Sequence, residues 1–68
     1  MTPRDRRRWR LLQNDRRELI AYRETLYKFL QSADESLDTL LEKIDEVDEN
    51  IREDEEALAE LAIKYDLA

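Results

Sequence analysis

The chain has 68 residues, 44% of them charged, a net charge of −6, and neither cysteine nor histidine. That length makes one small domain, and those residue types exclude disulfide frameworks, Cys/His zinc sites and histidine general bases. Glycine is absent and the one proline is Pro3, which removes glycine-rich phosphate loops and tight hairpin turns.

The opening "MTPRDRR" reads as a helix start. Thr2 caps, Pro3 suits the first helical position, and Asp5 complements the helix dipole in the first turn. A first helix is expected over about residues 3–31. The stretch "QSADES" then punctuates the chain. Ser32 with Glu35 fits a capping box, and Asp34 and Ser36 are further candidate caps, so a turn is expected at about 32–35. A second helix is expected over about 35–67. One unbroken rod is the alternative, because Ser and Asp are tolerated inside helices.

A single heptad frame runs through both segments without a stutter. Its a positions hold Trp9, Arg16, Arg23, Leu30, Leu37, Ile44, Ile51, Leu58 and Tyr65. Its d positions hold Asp5, Leu12, Leu19, Leu26, Ala33, Leu40, Val47, Asp54 and Leu61. A parallel homodimer would stack Arg16, Arg23 and Asp54 on their own copies in a half-dry seam, a repulsive arrangement. An antiparallel register in which paired numbers sum to 70 avoids this. It sets Trp9 on Leu61, Leu12 on Leu58, Leu19 on Ile51, Leu26 on Ile44 and Leu30 on Leu40. Asp5 falls opposite the Tyr65 hydroxyl, and Arg16 opposite Asp54. Arg16 and Asp54 are therefore expected to form a register-setting pair that penalises misalignment.

The apolar surface is wider than one such seam. Ile20, Tyr22, Tyr27, Phe29 and Leu41 occupy the flanking e and g positions, with Ala57 and Ala62 beside them. An isolated hairpin would leave several of these wet. The expected fold is an all-α antiparallel hairpin that dimerises into a four-helix bundle, with long continuous helices paired antiparallel as the alternative. Trp9, Leu12, Leu19, Ile20, Tyr22, Leu26, Tyr27, Phe29, Leu30, Leu40, Leu41, Ile44, Val47, Ile51, Leu58, Leu61 and Tyr65 are the candidate self-association residues.

Charge is split along the chain. Residues 1–31 carry nine Lys/Arg against four Asp/Glu, and residues 32–68 carry three against fourteen. The arginine cluster is expected to lie along the acidic second helix, with Glu56, Glu60 and Asp66 beside Arg6, Arg8 and Arg10. A rival use is nucleic-acid contact through Arg4, Arg7, Arg8 and Arg10. The acidic overall charge and the absence of a recognisable binding motif count against that rival.

No pair of groups here has an obvious reason for a shifted pKa, and no pocket is implied. Carboxylates at Glu42, Asp45, Glu46, Asp48 and Glu49 share a helical surface without a loop to close a metal site. No catalysis, cofactor, metal or small-molecule substrate is expected. The apolar runs are too short to span a membrane, and no signal-peptide core opens the chain, so the expected compartment is the cytoplasm. The expected function is a protein–protein interaction or oligomerisation module acting by surface recognition of a macromolecular partner. The alternatives are nucleic-acid binding, or an acidic helix that blocks a basic site.

Overall fold

The computed structural model describes residues 1–32 and 36–67. Two helices, α1 (Pro3–Ser32) and α2 (Leu37–Lys64), pack against each other as an all-α hairpin. The backbone spans 46 Å by 16 Å by 14 Å.

Local chemistry explains where each helix starts and stops. The Thr2 hydroxyl accepts the Asp5 backbone N–H at 3.1 Å, and its carbonyl accepts the Arg6 N–H at 2.9 Å. The hydroxyl satisfies one orphan donor of the first turn, and the carbonyl takes the first intrahelical bond. At the far end, the Ser32 hydroxyl donates to the Phe29 carbonyl at 3.1 Å. Ser32 therefore closes α1, one residue beyond the expected end, instead of capping α2. The residue before α2 is Ser36, whose side chain makes no capping hydrogen bond. Asp34 and Glu35, the other expected caps, and the turn at 33–35 lie outside the described residues. The helix α2 begins at Leu37, later than the expected residue 35.

It also ends earlier, at Lys64 and not at 67. Asp66 adopts a left-handed backbone with φ of 55°. The Asp66 N–H donates to the Ile63 carbonyl at 3.2 Å, and the Leu67 N–H to the Ala62 carbonyl at 2.8 Å. This is the Schellman pattern, with Asp in the place that glycine usually takes. A carboxylate side chain tolerates that backbone better than most, so the helix stops without a glycine.

The seam packs in the expected register. Leu26, Leu40, Ile44, Val47 and Ile51 form one buried cluster, with Leu19, Ile20 and Leu30 half-buried against it. Leu58 and Leu61 extend the buried row toward the open end. Asp5 meets Tyr65 across the helices, as the sum of 70 requires.

Burial is lopsided. Among the described residues, six of the seven that are buried belong to α2, and only Leu26 belongs to α1. Trp9, Leu12, Leu19, Ile20 and Leu30 stay half-buried. The reason lies in the width of the apolar arcs. One neighbouring helix covers the narrow stripe of α2, whereas α1 carries bulky residues on both sides of its stripe.

Candidate functional site

The two flanks of the hairpin differ. In an antiparallel pair the e positions of both helices share one flank and the g positions share the other. The e flank carries Ile20 and Tyr27 from α1, and Leu41, Asp48, Glu55 and Ala62 from α2. The g flank carries Asp15, Tyr22 and Phe29 from α1, with Asn50 and Ala57 from α2.

The e flank is furrowed along much of its length. Near the middle lies a hollow of about 580 Å³ walled by Arg23, Asp48, Ile51, Glu55 and Ala59. It adjoins a second of about 290 Å³ toward the open end, walled by Trp9, Arg16, Leu58, Ala59 and Ala62. Two ion pairs bridge the helices here. Arg23 Nη1 meets Asp48 Oδ1 at 2.8 Å, and Arg16 Nε meets Glu55 Oε1 at 3.9 Å. The hydrogen bond to Asp48 holds the Arg23 guanidinium above its ordinary pKa. Beyond these pairs toward the loop, Tyr27 is 40% exposed and Leu41 48%. The flank thus offers large side chains at one end and an alanine-floored hollow at the other.

The structure corrects the register-setting pair. Arg16 reaches outward to Glu55, and Asp54 turns toward the g flank, where its neighbour is Asp15. The Asp54 carboxyl is pushed up to about 6, first by burial and then by its hydrogen bond to Asp15. Its Oδ2 is buried without a hydrogen-bond partner. Arg16 cannot serve it because an a-position side chain on this flank points toward the e row. The expectation that no pair of groups has reason for a shifted pKa therefore fails at Asp54, paired with Asp15. The signal was present in the frame, since Asp15 precedes the Arg16 seam position and lies on the flank that Asp54 borders.

It fails again at Asp5. The Tyr65 hydroxyl and then Lys64 Nζ, at 2.9 Å, hold its carboxyl down at about 2. The Tyr65 hydroxyl in turn accepts the Thr2 N–H at 3.3 Å. Lys64 Nζ also sits 5.4 Å from the Tyr65 ring centroid. Lys64 is raised mainly by Asp5.

The N-terminal arginines are not absorbed by α2. Arg4, Arg6, Arg7, Arg8 and Arg10 are all exposed. None of them forms an ion pair among the described residues, so the expected neighbours Glu56, Glu60 and Asp66 do not hold Arg6, Arg8 and Arg10. These side chains project away from the seam, and a flexible exposed pair gains too little to fix them there. Arg4 and Arg8 instead line a hollow with Thr2, Asp5 and Lys64.

The remaining candidates divide plainly. Leu26, Leu40, Ile44, Val47, Ile51, Leu58 and Leu61 are buried inside one hairpin, whereas Trp9, Leu12, Leu19, Ile20, Leu30 and Tyr65 are half-buried. Tyr22, Tyr27, Phe29 and Leu41 face solvent. Among the described residues no cluster of acidic side chains converges to hold a metal ion, and no helix is long and apolar enough to cross a membrane. No family model, curated protein or solved structure matches this chain.

Proposed function

We propose that the chain is a non-enzymatic interaction module, a helical hairpin that self-associates and acts by surface recognition of a macromolecular partner. The observation that supports this is the open e flank. Tyr27 and Leu41 continue the apolar seam outward beyond the half-buried Ile20, and one hairpin leaves them wet. Contiguous apolar surface on a chain this small marks a contact site. Tyr22 and Phe29 widen the same arc on the other flank. The test replaces single exposed residues with a charge. Tyr27→Glu and Leu41→Glu should each lower the associated fraction in sedimentation equilibrium while far-UV helicity persists. Leu11→Glu, at a position 62% exposed and off both flanks, should leave association unchanged. Equal association in all three variants would sink the reading.

Nucleic-acid contact is the second reading, favoured by the exposure of Arg4, Arg7, Arg8 and Arg10, which form no ion pair among the described residues. Phosphate contacts of this kind predict affinity that falls steeply with salt. A fluorescence titration with single-stranded oligonucleotide at two salt concentrations checks it. Binding that is absent at low salt, or indifferent to Arg7→Ala, excludes it.

A further inference from the structure

We infer that the e flank is covered by a second copy of this chain lying head to tail, with each loop end beside the other's open end. This rests on the self-association reading above and specifies its geometry.

The extent of the flank sets the overlap. A face 46 Å by 16 Å offers roughly 740 Å² in flat projection. Stable interfaces take about 800 Å² from each partner, so only overlap along the full length comes near that figure. Full overlap leaves two orientations, with the loops together or apart.

Charge separates them. The loop half, residues 18–52, carries four Lys/Arg against ten Asp/Glu. The open half, residues 1–17 and 53–68, carries eight of each. Loops together would press a net −6 against a net −6, whereas head to tail sets each acidic half beside a neutral one. The neutral half is itself polarised, because its exposed arginines lack partners among the described residues. The two-fold that sets the loops apart lays α1 beside the second copy's α1, and with a rise of about 1.5 Å per residue Arg10 falls within about 3 Å of level with its Glu24, both at b positions bordering the e flank. Glu24 is exposed and likewise makes no ion pair among the described residues.

Shape agrees independently. Head to tail, the protruding Tyr27 and Leu41 come level with Trp9 and Ala62, at the hollow floored by Ala59 and Leu58. Loops together would set the protruding Tyr27 against the protruding Leu41 and hollow against hollow. The two-fold operator repeats each knob-into-hollow contact twice.

The absence of cysteine makes the test direct. Asp38 is exposed near the loop end of α2, at a b position bordering the e flank. Asp38→Cys carrying a nitroxide should report an inter-copy distance of about 40 Å by pulsed electron spin resonance, given the helix rise. Under oxidation, an equal mixture of Asp45→Cys and Ala59→Cys, both exposed b positions bordering the same flank, should yield crossed disulfide dimers in preference to dimers of either variant alone. A dimer with a label distance below about 25 Å would overturn the head-to-tail arrangement and leave self-association standing. A species that stays monomeric at every concentration would overturn both, leaving the flank to another protein.

Discussion

The hydroxyl of Tyr65 donates a hydrogen bond to the carboxylate of Asp5, 60 positions earlier, and ties the first turn of α1 to the end of α2. Lys64 grips the same carboxylate, so the end of the hairpin farthest from the loop is clasped by three side chains. Helix ends fray first, and a clasp there fixes the register along the whole seam.

Removing the clasp should loosen that end. Tyr65→Phe keeps the ring and deletes the donor, and should lower the thermal midpoint by a few degrees, read by circular dichroism. The pH dependence follows from the sign. Asp5 is held down at about 2, so its contribution is complete above the ordinary carboxylate range near 3.8 and is lost as pH falls toward 2. Asp5→Asn should remove that part of the acid sensitivity.

Asp54 has the opposite sign. Its folded-state value of about 6 lies above the ordinary 3.8, so the folded protein binds the extra proton between those values. Stability from this group therefore rises as pH falls from about 6 to about 4, and its penalty is complete at pH 7. Asp54→Asn should raise the melting temperature at pH 7 by several degrees and flatten the profile between pH 7 and 4. Asp15→Asn should move it the same way by less, because burial is the larger cause and persists.

The left-handed Asp66 is a stability reserve. Asp66→Gly relieves a backbone that L-residues enter at a cost, and should gain about 0.5–1 kcal/mol in urea denaturation. Asp66→Val, branched at Cβ, should lose stability or shift the end of α2.

Core and surface leucines should separate cleanly. Leu40 is 1% exposed, and Leu40→Ala should cost about 2–5 kcal/mol, enough to unfold a marginal hairpin. Leu11 is 62% exposed, and Leu11→Ala should stay within about 0.5 kcal/mol.

The fold was legible because its signals are local and periodic. Thr2 and Pro3 mark the start of α1, and the heptad frame carries Leu26, Ile44 and Ile51 to one seam. Even the Asp5–Tyr65 contact follows from counting. The end of α2 was hidden because Asp66 took a glycine's place, a substitution that composition does not announce. The polar members of the seam were misread for a different reason. Facing seam positions were paired without regard to the flank each one borders, an a position lying beside the e row and a d position beside the g row. Arg16 leaned to the e side and Asp54 to the g side, so two charges at matching seam positions found other neighbours. The arginine cluster was misjudged on energy, since proximity along a helix does not hold an exposed pair together.

Molar mass by light scattering across a concentration series, with circular dichroism on the same samples, tests the central claim most directly. A highly helical species at twice the 8.3 kDa chain mass is the predicted result. A species that keeps the single-chain mass at every concentration would contradict it.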